Sequence, residues 1–268
     1  MATQLHHEKF SFIPFVYING LTLLVIFGCM KLFFPNVWET QLSTSLLLFI
    51  LSFLVIHLLA SFMEFFFHRY VLHMTVLPFF KHFHTQHNIH HNHTSITREG
   101  LYTYNVFPIV KESQYEASFF PSWTLLAFSA LVTPFFILVY VFFPTVPIFF
   151  AGYTALFFSM VLYELFHVAW HWPLSRWERL FKQKYLGPIW YAVYTFHLRH
   201  HANVRCNESV SGFFGVPVPD LLFNTYVKAN TLYPHKQVIN PQEFTPPEPV
   251  FLIRWIDIFF VSISKDSK

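Results

Sequence analysis

The sequence predicts an all-α integral membrane protein, with four transmembrane helices arranged as two hairpins and a cytoplasmic histidine-rich helical cap. Three observations predict it. Four apolar runs are each long enough to cross a hydrocarbon core, which takes about 20 helical residues. Sixteen of the 17 Lys and Arg fall in the segments that this threading places on one side, and ten of the 17 histidines crowd into four short motifs on that same side.

The spans are expected at about 12–34, 45–67, 119–143 and 146–170. The first is not a secretory signal peptide: it is too long, lacks a basic leading segment and is followed at once by a second span. The links PNVWETQ and FPTV are short, so each pair of spans forms an antiparallel hairpin, and residues 1–11, 68–118 and 171–268 share a side. Only Lys31 lies at the far end, and because cytoplasmic segments accumulate Lys and Arg, the shared side is cytoplasmic. Trp170, Trp172 and Trp177 stand where the fourth span leaves the bilayer, either as interfacial aromatics or in ordinary packing. Beyond them, LGPIWYAVYTFHLRHH opens on Gly187-Pro188 and has helical length, and PQEFTPPEP reads as an irregular link. VFLIRWIDIFFVSIS is too short to span and is interrupted by Arg254 and Asp257, so it is expected as a helix at the interface or packed on the bundle. The whole is expected as a single membrane domain, 1–268, with histidine-bearing cytoplasmic segments 68–118 and 171–268.

Composition narrows the function classes. Hydrophobic residues make up 54% of the chain, aromatic residues 21% and charged residues only 12%, where a soluble domain is about a quarter charged. A disordered or nucleic-acid-binding protein is excluded, and the formal charge of +3 suits a membrane surface better than nucleic acid. Two cysteines, Cys29 and Cys206, make no disulfide framework and no thiolate cluster. No GxGxxG or GxxxxGK[ST] loop is present to hold a nucleotide.

The chemistry lies in the histidines. HRYVLH carries His68 and His73, HNIHH carries His87, His90 and His91, HVAWH carries His167 and His171, and HLRHH carries His197, His200 and His201. Residues three or four apart share a helix face. Each HxxHH therefore presents three imidazoles on one side, two for one ion and the third for another. His68 and His73 are five apart, so they either address different metals or sit where the helix loosens at its end. Ten imidazoles exceed what one ion accepts, which predicts two ions. Imidazole alone does not choose among iron, copper, zinc and nickel. Glu64 lies four residues before His68 and Glu164 three before His167, each on the matching face and placed to orient an imidazole through its other nitrogen. Asn203, Asn207, Glu208 and Asp220 follow the last motif as further hydrogen-bonding or capping residues. His82, His84 and His93 are expected near the cluster or facing solvent, and His6, His7, His57 and His235 are expected to be structural, with His57 buried and hydrogen-bonded within the second span.

As a set these motifs resemble the fatty acid hydroxylase/sterol desaturase superfamily of membrane-bound histidine-rich di-iron oxygenases. The resemblance runs from about residue 64 to 225 and takes in EFFFHRYVLH, HNIHHNH, YELFHVAWH and FHLRHHANVRCNES. DLLFNT is similar to the D-x-x-F-G-T stretch of that family, with Asn224 in place of Gly. The resemblance implies that His68, His73, His87, His90, His91, His167, His171, His197, His200 and His201 bind two Fe ions, with zinc able to replace them on purification. It also implies O₂ as co-substrate, a membrane lipid as substrate and hydroxylation as the reaction. No cytochrome b5-like, flavin- or nicotinamide-binding module is legible, so electrons are expected from a separate cytochrome b5, ferredoxin or reductase. Acyl-lipid desaturases lack the extra HxxxH seen at His167 and His171, and carotenoid hydroxylases have a shorter interval than that from His73 to His87. Sterol or carotenoid oxidation or desaturation on the same scaffold stays open, as do the bacterial inner membrane and the endoplasmic reticulum as locations. A histidine-rich metal transporter is a different class. It would place ionisable residues at mid-membrane, where His57 is the only candidate.

Overall fold

Helix formation follows the apolar runs closely. The computed structural model describes residues 12–74, 78–111, 114 and 118–266. It is mostly helical, with four long apolar helices, α1 (Ile13–Phe33), α3 (Leu46–Phe66), α5 (Thr124–Phe142) and α6 (Ile148–Trp170), each long and apolar enough to cross a membrane. The chain is a multi-pass membrane protein by that measure. α5 starts five residues later than expected: Pro121 has no N–H to give and disfavours helix before it, so the chain turns through Thr124 N to Pro121 O first. The first link is itself a helix, α2 (Pro35–Leu42), with proline at the start, where its missing donor costs nothing.

The chain divides into two compact units, residues 11–62 with 120–165, and residues 63–119 with 166–268. In the first unit the apolar helices pack in pairs. Gly152 of α6 faces the Phe136 ring of α5, where a Cβ would stand 2.5 Å from two ring carbons. His57 of α3 meets Ser159 of α6 at 2.7 Å. Because the Ser159 hydroxyl donates to Ala155 O, the imidazole Nδ1–H is the donor, and His57 is buried and bonded as expected. Gln41 of α2 is buried and bridges the second link, donating to Val146 O and accepting from Phe149 N at 2.9 and 3.0 Å. Leu24, Leu47, Leu131 and Val141 stay exposed on their helices, as lipid-facing residues should.

The second unit holds the ten motif histidines. α3 continues into a π-helical turn, Phe67–Leu72, and is followed by α4 (Lys81–His93). A two-stranded antiparallel hairpin comes next, β1 (Ile96–Glu99) and β2 (Tyr102–Asn105), an addition to the all-helical expectation. Gly100 turns it at φ +61°, and Ile96 and Thr103 point inward. Then come α7 (Leu174–Phe181), α8 (Gly187–Ala202), α9 (Val218–Phe223) and α10 (Phe251–Asp266). α10 packs rather than stands apart: Ile253 is fully buried, and Asp257 accepts from Arg69 Nε and Nη2 at 2.9 and 2.7 Å and from the Tyr70 hydroxyl at 2.9 Å. Trp170 and Trp177 are likewise core residues, Trp177 donating its indole N–H to Ala169 O. Asn224 ends α9 at φ +57°, ψ +38°, a left-handed position that glycine or asparagine fills at least cost, which is why Asn can stand there.

Candidate metal centre

Two buried groups of histidines form sites able to hold metal ions: His68, His73, His87, His91 and His200, and His90, His167, His171 and His197. Within each group the ligand atoms lie within 4.8 Å of one another. Nine of the ten histidines singled out by sequence belong to these groups. The tenth, His201, sits between them, its Nε2 3.1 Å from His197 Nε2 and its ring stacked on His91 at 4.1 Å.

The local backbone explains the division. The five-residue spacing of His68 and His73 spans a π turn, closed by His73 N to His68 O at 3.3 Å, so i and i+5 share a face and the rings lie 5.0 Å apart, nearly parallel. This is the loosened helix end among the two expectations. On α4, His87 and His91 go to the five-histidine cluster and His90 to the other; on α8, His200 goes to the first and His197 to the second. His167 and His171 come from the last turn of α6 and the residue just after it.

Hydrogen-bond accounting fixes several tautomers. His68, His171 and His200 each donate Nδ1–H to a backbone carbonyl, of Glu208, Phe107 and Cys206, at 2.5, 2.8 and 2.8 Å. The Ser118 hydroxyl donates to Gln114 O and the Thr94 hydroxyl to His90 O, so each accepts from an imidazole: His90 Nδ1–H at 2.7 Å and His201 Nδ1–H at 3.2 Å. All five leave a bare Nε2 lone pair facing the cluster. His87 Nε2 lies 3.0, 3.2 and 3.0 Å from the Nε2 atoms of His68, His73 and His91, and a single N–H can satisfy only one of them. The others meet lone pair to lone pair or N–H to N–H, and with the rings in their Nδ1–H form a cation would turn these contacts from repulsive to attractive. The spacing fits such an ion: two nitrogens each about 2.1 Å from it and about 90° apart are about 3.0 Å from each other.

Electrostatics points the same way. Burial and the neighbouring imidazoles hold His73, His87, His90, His91, His197 and His201 well below the ordinary histidine range, and burial holds His171 down at about 3. His200 is lowered too, chiefly by burial. These rings are neutral at physiological pH, the state in which imidazole binds metal.

The carboxylates take other parts than the one expected of them. Glu64 accepts from Ser211 N at 2.7 Å, from the Ser211 hydroxyl and from Gly212 N, so it holds a turn rather than orienting His68. Glu164 is fully buried and accepts from Phe120 N at 2.7 Å. Glu208 is the carboxylate near the five-histidine cluster: one oxygen pairs with Arg69 Nη1 at 3.0 Å and the other lies 3.8 Å from His68 Nδ1. Asn203 and Asn207 bond backbone groups, and Asp220 accepts loop amides. His84 donates to Leu72 O and takes Asn88 Nδ2, outside both clusters, while His82 and His93 are exposed. Sequence reasoning missed Thr94 and Ser118 and the three carbonyls. Any residue has a carbonyl, so only the fold could reveal which ones serve.

Beside the four-histidine cluster lies an apolar cavity of about 360 Å³, lined by Phe166, Trp170, Ile189, Val193, Phe196 and Val210 among others. Trp170 is its link to the cluster, stacking on His197 at 4.8 Å and 18°. The Trp170 indole N–H is buried without a hydrogen-bond partner, and Trp170 and Ser209 both line the cavity. Comparison of the chain with models of protein families, with curated proteins and with solved structures gives no match.

Proposed function

We propose that the chain is a membrane-bound di-iron monooxygenase that hydroxylates a lipid, a fatty-acyl or related chain, using O₂ and electrons from a separate cytochrome b5, ferredoxin or reductase. The observation that carries this reading is the sorting of the histidines into two buried clusters whose ring nitrogens face one another. That is the arrangement implied by the resemblance to the fatty acid hydroxylase/sterol desaturase superfamily. Two reduced ions held by these rings would activate O₂, the oxidant that an unactivated C–H bond demands and that no side chain can replace. The chain's own residues do the rest. The carbonyls and hydroxyls behind the imidazoles hold them neutral and aimed. The cavity beside Trp170 offers apolar walls for an alkyl chain, with the buried, unpaired Trp170 N–H among them. Exposed Ile189 and Val216 stand among its lining residues, where an apolar chain would enter. The charge distribution supports a cytoplasmic site, in a bacterial inner membrane or the endoplasmic reticulum.

Sterol or carotenoid oxidation, or desaturation, would use the same clusters. The cavity volume lies within the range of small-molecule sites and does not by itself separate these substrates. Metal transport has less support, since His57, the one histidine well inside a span, is engaged with Ser159. The test is metal content per chain in mild detergent, for wild type and for a His167→Ala, His171→Ala double variant, followed by mass spectrometry of lipids after turnover in ¹⁸O₂ with an electron donor. The expected results are iron in both clusters of the wild type, loss of about half in the variant because the four-histidine cluster keeps only two ligands, and donor-dependent ¹⁸O in a lipid hydroxyl. No stoichiometric metal in the wild type, or a load that the variant leaves unchanged, would overturn the metal centre. Desaturated lipid without hydroxylated lipid would overturn the hydroxylase reading alone.

A further inference from the structure

We infer that Asp220 is a positioning residue for the five-histidine cluster: it sets the aim of His68 and His200 through the loop at 206–209, without touching an imidazole. The inference rests on the two-metal reading above and adds to it a residue that acts on one site and not the other.

The connection is short. The carbonyls that accept from His200 and His68 belong to Cys206 and Glu208, two residues apart in one loop. Asn207 stands between them at φ +56°, in the left-handed region that asparagine tolerates better than most residues. Its side chain is committed on the far side, Nδ2 donating to Phe196 O and Val227 O at 2.8 and 2.9 Å and Oδ1 accepting from Val227 N at 2.7 Å. The amides of the same loop are taken by Asp220, one per oxygen: Glu208 N to Oδ1 at 2.9 Å and Ser209 N to Oδ2 at 2.8 Å. The Thr225 hydroxyl adds a third bond, to Oδ1 at 2.7 Å. Asp220 is fully buried, and a buried carboxylate is tolerated only when bonded in this way. Both oxygens must accept. An amide in its place keeps one acceptor and sets an NH₂ against a loop N–H, so at least one of the two amides is released and the carbonyls beside it are free to turn.

The four-histidine cluster draws its support from elsewhere, from Phe107 O behind His171 and Ser118 behind His90. Loss of Asp220 therefore acts selectively, whereas a general loss of structure would weaken both sites together.

The experiment is a Co²⁺ titration of the full chain, purified in detergent and stripped of metal, read by the visible absorption of bound cobalt. Wild type should fill both clusters. In the His167→Ala, His171→Ala background, which isolates the five-histidine cluster, adding Asp220→Asn should weaken cobalt binding by about 10–100-fold and shift its spectrum. In a His68→Ala, His73→Ala, His87→Ala background, which leaves the five-histidine cluster only two rings and so isolates the four-histidine cluster, the same substitution should leave affinity and spectrum unchanged. Thr225→Val, a milder change that removes one bond to Asp220, should give a smaller loss confined to the same cluster, and it decides the matter if Asp220→Asn does not fold. Equal weakening in both backgrounds, or no weakening in the first, would overturn the inference and leave two-metal binding standing. A wild type that fills only one cluster would overturn the two-metal reading and this inference with it.

Discussion

The five-histidine cluster draws its rings from the π turn, α4 and α8, and two of them are steadied by carbonyls two residues apart in a single loop. The four-histidine cluster also draws on three elements, but its supports at residues 107 and 118 lie on separate segments. In the first cluster one displacement of the backbone re-aims two ligands together. In the second the supports are split between two segments, residue 107 behind His171 and residue 118 behind His90 and, through its backbone, His167, so a fault in one segment spares the ring held by the other. Identical side chains at similar spacing thus gain different mechanical characters from what stands behind them.

The largest effect that would break this comparison is removal of a whole cluster. His68→Ala with His73→Ala and His87→Ala takes three of the five rings that would hold the first ion, and is expected to abolish that site while the four-histidine cluster keeps its metal. Metal analysis of the purified variant checks it; loss of both ions would mean that the clusters do not stand independently.

Acidification acts on both clusters at once. His171 has a native value of about 3 against an ordinary 6.5, and the other buried rings outside the spans are shifted the same way. Between the two values the unfolded chain binds protons that the native rings refuse, so native stability falls as pH is lowered through about 6.5, by roughly 1.4 kcal/mol per pH unit for each ring that stays neutral. Metal-stripped protein should therefore melt at progressively lower temperature from pH 7.5 to 5.5. A flat profile would show the rings to be solvated.

The smallest effect sharpens the contrast most. Ser118→Ala removes one hydrogen bond from His90, worth about 1 kcal/mol, or roughly fivefold in affinity. That loss should appear in the four-histidine cluster alone, measured by cobalt titration against the His68→Ala, His73→Ala, His87→Ala background. An equal loss in the five-histidine cluster would contradict separate support.

Much of this architecture is legible in the chain. Spans follow from apolar runs because nothing else in a polypeptide buries about 20 consecutive residues of that kind, and α1, α3 and α6 begin and end within two residues of where those runs do, apart from the π turn that extends α3. The pairing of His87 with His91 and the separation of His90 follow from helix periodicity. The π turn stood as one of two alternatives, since a five-residue interval does not say whether the helix yields or the ligands part. The hairpin at 96–105 went unread because only Ile96 and Thr103 mark its inner face. Glu64 was read by its helix face toward His68, but two amides and a hydroxyl of residues 211–212 compete for it and win. Side-chain periodicity cannot anticipate a partner that arrives from a distant loop.

Both α4 and α8 deliver rings to the two clusters from positions three residues apart. Three residues of helix advance about 4.5 Å, a length set by backbone hydrogen bonds rather than by side-chain choice. The pair of helices works as a ruler with two engraved marks. Loops can drift, lengthen or change sequence and alter how firmly each mark is held, but the interval between the marks changes only if a helix itself is rewound.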